Sequence, residues 1–516
     1  MTELTTPVRI VIRNGCVVTG DTAGTRYDDA DIVIEGNRIT AIGPDAGARI
    51  AGDNQVEVID ARRSIVMPGL VNAHIHSNEG FEQGAYDNLP LELWLLQSYP
   101  PWGMPRFSER QHYLRTMLTA IESIRSGATT VQDDLLHFFC TPEGVDGAVG
   151  AYADAGLRAY VTVTMWNRPL ADSLPFAHEI IPPALQAELA ATPPPGAADF
   201  LGLFRQHHAA WHGHAGRIGI VLGPCGTQRC TDDLLEDVTD LSASLQLPVH
   251  VHVLETRTQA VTAQQLYNKT MVEHMHDLGM LTPRLTINHA IWLTPCEIEL
   301  LGANGCSITH NPLSNLKLGS GVCPIRRHLR AGVNVALGTD GPTTSDTADI
   351  IAALRAAALL HKIGTPDYEE WGTAEEAFRM ATLGGARSCL AEREIGGLEV
   401  GKKADIILLD RQAWGFIPLH DPIRQLAFSV TSEAVTHTIV DGRVLMRDRV
   451  ITVLDEAAIK AEVAECAERF RRDDLPKMRA GAARLAPHIA AIYRRAWATP
   501  LPDEIAGVRR RPPVER

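Results

Sequence analysis

The 516-residue sequence has no apolar run of about 18 residues or more, the length that a membrane-spanning helix needs. Its nine cysteines are odd in number and scattered, and none forms a Cys-X-X-Cys pair. That usage argues against a disulfide framework and against a thiolate zinc site. Residues 1–7 lack a basic segment followed by an apolar one, so we expect no signal peptide and a cytoplasmic location.

Positive charge is also scarce, because 62 acidic residues outweigh 48 lysines and arginines and leave a net charge of −14. Such a surface repels phosphate backbones, so we expect no nucleic-acid partner, and the missing apolar runs exclude a membrane partner. The basic cluster Arg509-Arg510-Arg511 is interpreted as a solvated tail. Hydrophobic residues are plentiful at 45%, which is enough for a large buried core.

The pattern of β-rich segments predicts two kinds of structure. Short segments with Asn/Gly turns at Asn14-Gly15 and Gly36-Asn37 are typical of hairpins. From about residue 64, β-rich segments alternate with helical patterns such as Gln111–Ser126 and Ala260–Leu278. The predicted strands are Leu70–His76, Ala128–Asp134, Ala159–Met165, Ile218–Pro224, Pro248–Leu254, Leu285–Ala290, Cys306–Asn311 and Val333–Asp340.

Eight strands alternating with helices predict an α/β fold, a (β/α)8 TIM-like barrel whose active site lies at the C-terminal strand ends. Hairpin patterns return after the barrel, at Lys403–Leu409 and His437–Leu445. We therefore expect the N- and C-terminal strands to form one small discontinuous β-sandwich domain. The predicted boundaries are 1–66 and 397–454 for the sandwich, 67–396 for the metal-dependent barrel, and 455–516 for one or two C-terminal helices and a tail.

Polar side chains end several of the predicted barrel strands. In a strand, residues i and i+2 share a face, so His74 and His76 leave the first strand together. His250, His252 and Glu255 follow on the fifth strand, and the remaining polar ends are Asn288-His289, His310-Asn311 and Thr339-Asp340. A single histidine in an apolar strand is usually a core residue, and Asp before Gly is often turn chemistry. Several such groups at one end of a barrel instead indicate a site for a divalent ion such as zinc.

The motifs at these positions resemble the amidohydrolase superfamily, in particular its chlorohydrolase-like and cytosine- or S-adenosylhomocysteine-deaminase-like branch. The matching segments run in family order over roughly residues 8–460: Pro68–His76, Asn88–Trp94, His252–Thr256, Asn288–Ala290, His310–Leu318, Gly338–Gly341 and Gly401–Asp405.

The resemblance implies roles for particular residues. His74, His76, His252 and Asp340 would hold one divalent metal per subunit, with zinc favoured and iron(II) as the alternative. Glu255 and Asp340 would move protons, and His289 would polarise the electrophile or steady the hydroxide while contacting the substrate. The fourth predicted strand, Ile218–Pro224, lacks the lysine that usually bridges two metals in this superfamily, which supports a single metal. The resemblance also implies a homo-oligomer.

The resemblance implies a hydrolase of C–N bonds other than peptide bonds, acting on a small molecule. We expect a deaminase or amine-displacing hydrolase of a nitrogen heterocycle such as an aminopyrimidine, a purine or an s-triazine. The alternative is an amide, urea or carbamate hydrolase that uses the same metal-bound hydroxide. A catalytically silent scaffold is a third hypothesis, disfavoured because the predicted ligands are all present.

Substrate contacts are less sharply predicted. Aromatic residues near strand ends can stack on a flat ring, namely Phe81, Tyr86, Trp102, Trp166 and Trp292, and of these we select Trp102 and Trp166. Gln228 and Arg229 are candidates for binding a carbonyl or a carboxylate. Three departures from the deaminase pattern argue against a nucleoside: Cys225 replaces a histidine, Asp87 has unusual neighbours, and Ser345-Asp346 replaces Asn-Asn.

Overall fold

A computed structural model describes residues 9–48, 50, 55–136, 141–364, 366–502 and 505 of the chain. The predicted tail cluster, residues 509–511, lies outside the described residues. In the described part, no helix is both long enough and apolar enough to cross a membrane.

The strands in the described part are β1 (Arg9–Val18), β2 (Arg26–Glu35), β3 (Arg38–Gly43), β4 (Val56–Asp60), β5 (Ser64–Pro68), β6 (Leu70–Ile75), β7 (Ala128–Asp133), β8 (Arg158–Met165), β9 (Ile218–Pro224), β10 (Val249–Val253), β11 (Leu285–His289), β12 (Ser307–His310), β13 (Asn334–Leu337), β14 (Ile406–Asp410), β15 (Val435–Val440), β16 (Arg443–Arg447) and β17 (Val450–Ile451).

The α-helices are α1 (Leu91–Ser98), α2 (Glu109–Arg125), α3 (Pro142–Ala155), α4 (Ala177–Ile180), α5 (Pro183–Ala190), α6 (Ala197–Trp211), α7 (Asp232–Leu245), α8 (Arg257–Tyr267), α9 (Met271–Asp277), α10 (Pro295–Ala303), α11 (Pro312–Lys317), α12 (Ile325–Arg330), α13 (Ile350–Leu360), α14 (Ala374–Arg379), α15 (Gly385–Ser388), α16 (Pro422–Phe428), α17 (Glu456–Asp473), α18 (Leu475–Ala483) and α19 (Ala486–Ala498). A π-helical turn, Met380–Gly384, joins α14 to α15, and a 3-10 helix, Ser77–Glu82, follows β6.

Eight parallel strands, β6 to β13, neighbour one another in chain order and form a nearly closed barrel. All eight predicted strands are present, so the predicted TIM-like fold class is confirmed. β6, β7 and β9 are buried along their whole length, as expected for parallel strands covered on both faces. Between β13 and β6, the Asp340 amide donates to the His74 carbonyl at 2.9 Å, and the Asn72 amide donates to Thr339 Oγ1 at 2.8 Å.

A second, mixed sheet combines N-terminal and C-terminal strands in the order β17–β16–β15–β14–β5–β1–β2–β3, with β4 parallel to β1. This sheet confirms the predicted discontinuous small domain. Side chains alternate along β14: Ile406 and Leu408 enter the sheet's own apolar core, whereas Ile407 and Leu409 join the core of the barrel. The exact boundaries of the four predicted segments stay predictions.

Three local elements differ from the prediction. Asn14-Gly15 is a bulge inside β1, not a turn, because Asn14 takes a positive φ of 59° while β1 stays paired with β2 on both sides. The predicted helix Ala260–Leu278 is two helices, because Asn268 ends α8 at a φ of 54° and Thr270 caps α9. The C-terminal segment forms three helices, α17 to α19, where one or two were expected.

The C-terminal helices pack against elements that follow the barrel strands. Helices α18 and α19 contact α1, α19 also contacts α8, and α17 contacts α2. Arg257, the first residue of α8, donates to the carbonyl oxygens of Ala496 at 3.3 Å and Thr499 at 2.5 Å. These contacts hold α1 over the C-terminal end of the barrel.

Candidate metal centre and active site

The predicted ligands converge at the C-terminal ends of β6, β10 and β13. Asp340 Oδ1 lies 3.4 Å from His74 Nε2 and 3.2 Å from His76 Nε2. His252 Nε2 lies 3.3 Å from His76 Nε2. Two overlapping groups, His74 with His76 and His252, and His74 with His289 and Asp340, each bring their ligand atoms within 4.8 Å of one another. The structure therefore brings the four predicted ligands together.

Backbone carbonyl groups orient two of these imidazoles. His76 Nδ1 lies 2.5 Å from the carbonyl oxygen of Asp134, and His252 Nδ1 lies 2.8 Å from that of Cys225. Each Nδ1 therefore carries a hydrogen and donates it, which leaves the Nε2 lone pair facing the cluster. That tautomer is the one a metal ligand needs.

The residues fit a divalent cation. His74 is fully buried, yet neither of its ring nitrogens has a hydrogen-bond partner within the described part of the chain. Buried polar atoms are normally satisfied, so an orphaned imidazole beside a carboxylate indicates a missing partner. Three imidazoles and one carboxylate are a donor set that suits zinc and related divalent ions.

The pKa values of the clustered histidines and of Asp340 also fit a site for a cation. Burial lowers the pKa of His74 to about 3, which keeps that ring neutral. Burial also acts on His76, but its hydrogen bond and charge interaction with Asp340 outweigh it and raise the pKa of His76 well above its ordinary value. The Asp340 pKa lies well below its usual range, because the histidines outweigh the burial that would raise it. A divalent cation held by these residues would take the place of the proton that His76 and Asp340 share.

Glu255 and His289 lie beside this cluster. Glu255 Oε2 is 3.6 Å from His289 Nε2, which is itself 4.0 Å from Asp340 Oδ2. His289 Nδ1 lies 2.9 Å from Asn315 Oδ1 and donates to it, so its Nε2 faces Glu255 with a lone pair. Burial raises the pKa of Glu255 to about 7. A carboxyl with such a pKa can both give and take a proton near neutrality.

The backbone is unusual at two of these positions. His289 has a φ of 72° and Asp340 a φ of 67°, in the left-handed region that residues other than glycine rarely adopt. Such conformations persist only where the surroundings enforce them, and they cluster at functional sites. Here they turn both side chains inward at the points where β11 and β13 end.

A cavity of about 50 Å³ opens onto the cluster. Its lining includes two of the predicted substrate contacts, Gln228 and Arg229, together with His289. The other two lie elsewhere: Trp166 packs against the barrel core with its ring tilted 48° to that of Phe200, and Trp102 packs beside α18 under the Arg484 guanidinium. Neither Trp102 nor Trp166 therefore lines this cavity.

Several pocket residues were not predicted. Leu91, Trp94 and Leu95 of α1 form an apolar wall opposite the polar cluster. Trp94 stands in the family-like segment Asn88–Trp94, which was the one available signal for it. Asp134 accepts from Thr162 and Thr164 below the cluster, and its Oδ2 lies 3.4 Å from His252 Nδ1.

The departures from the deaminase pattern fall at different places. Cys225 lines the cavity, so it stands where a substrate contact is expected. Asp346 instead accepts from the Gly84 amide at 2.9 Å and pairs with Lys317, which ties two loops together. Asp87 is exposed and lies outside the residues that line the cavity. His250 lies fully buried beneath the cluster, 3.8 Å from Asp134 Oδ2.

Comparisons with known proteins agree with this architecture. Residues 65–445 match the model of the Amidohydrolase family. A 5′-deoxyadenosine deaminase of Methanosarcina mazei is 32% identical over 465 residues, which cover 89% of this chain and 98% of that protein. A 5-methylthioadenosine/S-adenosylhomocysteine deaminase of Moorella thermoacetica is 35% identical over 435 residues, which cover 84% and 94%.

Two solved structures are similar over nearly their whole length. An adenosine deaminase from Xanthomonas campestris with bound zinc has a TM-score of 0.79 at 29% identity, covering 90% of this chain and 98% of that one. An atrazine chlorohydrolase from Arthrobacter aurescens TC1 complexed with zinc has a TM-score of 0.77 at 27% identity, covering 89% and 100%.

The fold and the cluster thus define a metal-dependent hydrolase built on a (β/α)8 barrel. The chain belongs to the amidohydrolase family. It is a hydrolase of C–N bonds with a divalent-metal site and a small-molecule substrate, and the predicted superfamily is confirmed.

Proposed function

We propose that this enzyme hydrolytically deaminates an amino-substituted nitrogen heterocycle, with 6-aminopurine nucleosides as the leading substrate class. The observation that carries the proposal is the buried Glu255 carboxyl beside His289 and Asp340, at a cavity that opens onto the histidine cluster. Deamination of a heterocycle needs a group that protonates a ring nitrogen, and Glu255 has both the position and the pKa for it. The names of the relatives favour purine nucleosides, and two of the three departures that argue against a nucleoside, Asp87 and Ser345-Asp346, lie outside the residues that line the cavity.

His74, His76, His252 and Asp340 would hold the metal, with zinc preferred to iron because both solved relatives contain zinc. When bound, a divalent ion of this kind supplies an activated water at neutral pH. The homo-oligomer stays a prediction from family resemblance.

Asp340, Glu255 and His289 each have a separate role in the proton transfers. Asp340 Oδ2 accepts a hydrogen bond from Ser314 Oγ at 2.5 Å, which holds the carboxylate in place to take a proton from the attacking water. Glu255 protonates the ring nitrogen next to the carbon under attack. Asn315 keeps His289 in the tautomer whose Nε2 faces the reacting carbon, where His289 steadies the attacking water by accepting its hydrogen. The proton held by Asp340 passes to the leaving amino group, the hydroxyl on the attacked carbon gives its proton to Glu255, and loss of ammonia leaves a carbonyl on the ring.

The cavity walls suit a flat, polar-edged substrate. Leu91, Trp94 and Leu95 offer an apolar face against which a ring can stack. On another wall, Gln228 is 5% exposed, and its Oε1 has no hydrogen-bond partner among the described residues. An exocyclic N–H or a ring N–H of the substrate would satisfy it. Arg229 and Cys225 complete that wall.

The second candidate is hydrolysis of an amide, urea or carbamate by the same cluster. The observation in its favour is the wall of Cys225, Gln228 and Arg229, because amide and guanidinium donors there can hold an open-chain carbonyl. Both candidate reactions need the metal and Glu255, so removing either one does not distinguish the deaminase from the amide, urea or carbamate hydrolase.

A release assay separates the two. Metal-loaded protein is offered aminopurine nucleosides, aminopyrimidines and aminotriazines in one arm, and aryl ureas, carbamates and simple amides in the other, and ammonia or amine is measured. We expect ammonia from the heterocycles alone, with adenosine-type compounds turned over fastest. Turnover confined to the open-chain compounds would overturn the deaminase proposal. The Glu255→Gln variant is the control for background hydrolysis.

A further inference from the structure

Asp134 follows the last residue of β7 beside the histidine cluster, and the reaction proposed above gives it no role. Its side chain is fully buried and lies outside the residues that line the catalytic cavity. Two hydroxyl groups fix one carboxylate oxygen, because Thr162 Oγ1 donates to Oδ1 at 2.7 Å and Thr164 Oγ1 donates at 3.0 Å. The Asp134 amide donates to the Ile75 carbonyl at 2.8 Å. The residue is therefore held in place by both its backbone and its side chain.

Asp134 contacts two of the three histidines of the proposed metal set, one through its backbone and one through its side chain. Its carbonyl oxygen orients His76, whose Nδ1 lies 2.5 Å away. Its carboxylate Oδ2 lies 3.4 Å from His252 Nδ1. That nitrogen donates its hydrogen to the Cys225 carbonyl at 2.8 Å, so the carboxylate acts on the ring mainly through its charge. His250 Nδ1 is farther from Oδ2, at 3.8 Å, which makes His252 the nearer partner.

The oxygen of Asp134 that faces His252 is unsatisfied. Oδ2 has no hydrogen-bond partner within the part of the chain that the structure describes. Burial raises the pKa of Asp134 to about 6, which still leaves the carboxyl ionised at neutral pH. Leaving a charge unpaired in the interior is costly, so a buried carboxylate with a free oxygen indicates a positive charge nearby. A cation held on the other side of the His252 ring would balance it.

The charge of the proposed ligand set leads to the same place. Three neutral imidazoles and the Asp340 carboxylate leave a divalent ion with one net positive charge, and burial of net charge is costly. Glu79 and Asp133 are also buried carboxylates near His76. Their oxygens already accept hydrogen bonds from hydroxyl groups outside the cluster. Asp134 differs from both because its free oxygen lies beside a ligand.

We infer that Asp134 is a positioning residue for the metal, which acts through the His252 ring and supplies the second negative charge that a divalent ion needs there. It binds neither the ion nor the substrate itself. A carboxylate behind a ligating imidazole fixes the ring and strengthens its bond to the metal. This inference rests on the proposed function for its metal ligands, and it does not depend on which substrate the enzyme takes.

The first test is the affinity of the protein for Zn²⁺, measured by competition with a chromogenic chelator, in wild type and in Asp134→Asn. The amide has the size of the carboxyl and keeps the oxygen that accepts from Thr162 and Thr164. The backbone carbonyl that orients His76 is also kept, so the main loss is the negative charge facing His252. We expect the Kd for Zn²⁺ to rise by about 10–100-fold. Equal affinity in the two proteins would overturn the inference.

The matched control is Asp31→Asn, in the small sheet. Asp31 is a similarly buried aspartate, and its carboxylate accepts from the amides of Asn14 at 2.9 Å and Gly47 at 3.0 Å. This variant loses a buried negative charge without a change near the metal set, so its affinity for Zn²⁺ should equal that of wild type. A loss of affinity as large as that in Asp134→Asn would mean a general effect on the fold and would overturn the positioning role.

Two readouts separate positioning from a purely structural role. With Co²⁺ in place of Zn²⁺, the visible d–d bands report the field of the ligands, so they should shift in Asp134→Asn and stay unchanged in Asp31→Asn. With metal at saturation, Asp134→Asn should lower kcat and leave KM unchanged, because Asp134 does not line the catalytic cavity. Unchanged bands together with unchanged kcat would contradict the inference.

A crystal structure of the zinc-loaded wild-type protein provides a test that needs no variant to fold. We expect the Asp134 carboxylate to contact His252 Nδ1 and to make no bond to the zinc. Zinc bound to Asp134 Oδ2, or a His252 ring turned away from it, would overturn the positioning role. A wild-type protein that binds no zinc would overturn the proposed metal site and this inference with it. Equal affinity in Asp134→Asn would overturn this inference alone and leave the proposed function standing.

Discussion

Replacing Glu255 with glutamine tests the proton transfer on which the proposed reaction depends. The amide has the size of the carboxyl and keeps the contact with Ser320 Oγ, now 3.4 Å from Glu255 Oε1, but it cannot exchange a proton. General acid–base catalysis by one side chain is worth about 10²–10⁴ in rate, or roughly 3–5 kcal/mol of barrier. We therefore expect kcat to fall by about that factor, while metal content stays unchanged because Glu255 is not in the ligand cluster.

The pH profile of the activity shows whether Glu255 gives a proton to the substrate or takes one from it. Burial raises the pKa of Glu255 from 4.5 to about 7, so the carboxyl holds its proton below that pH and loses it above. If Glu255 gives its proton to the ring, activity must fall as the pH rises through this pKa. A bound cation favours the carboxylate, so the falling limb in the metal-loaded enzyme lies at or below about 7. Glu255→Gln removes this limb together with most of the rate.

The assay is steady-state ammonia release between pH 5 and 9, with metal content measured on the same samples. Glu297→Gln is the matched control, because Glu297 is an equally buried carboxyl that caps helix α10 and does not line the catalytic pocket. Near-normal kcat for Glu255→Gln at every pH would refute the role of Glu255. Loss of metal together with activity would assign it a ligand role instead.

Three further predictions concern the metal, a residue beside its ligands and a buried ion pair of the fold. Removing metal with a chelator should abolish activity, and one equivalent of Zn²⁺ per chain should restore it, as titration against ammonia release would reveal. Gly338→Ala should reduce metal affinity, because an added Cβ would lie 2.8 Å from His74 Cβ, and calorimetric metal titration measures the loss. Asp405→Asn should lower the free energy of unfolding by about 3–5 kcal/mol, since it weakens a buried bidentate pair with Arg158; urea unfolding measures this, and a change under 1 kcal/mol would contradict it.

Local patterns in the sequence predicted most of the barrel. The apolar segments that end in polar residues are short, β-rich and separated by helical patterns, so parallel strands follow from periodicity alone. Since the carboxyl ends of parallel strands meet at one face, His74, His252 and Asp340 were expected to converge, and they do. Periodicity failed at Asn268, where one residue with a positive φ divides the predicted helix into α8 and α9.

The aromatic residues show what local patterns leave undecided. Trp94 and Trp102 are eight positions apart, and both follow the first barrel strand, yet only Trp94 lines the pocket. The difference arises because α1 packs against α18 and α19, some 380 residues later in the chain, and Trp102 joins the apolar cluster of those helices whereas Trp94 does not.

The sequence by itself determined the (β/α)8 barrel, the discontinuous small sheet and the set of residues at the strand ends, because strand periodicity and parallel pairing are local and general. Only the tertiary structure decided which loop residues wall the pocket and which aromatic residues are packed elsewhere. Those outcomes depend on contacts between segments far apart in the chain, where burial and the low dielectric of the interior govern the energy of each polar group.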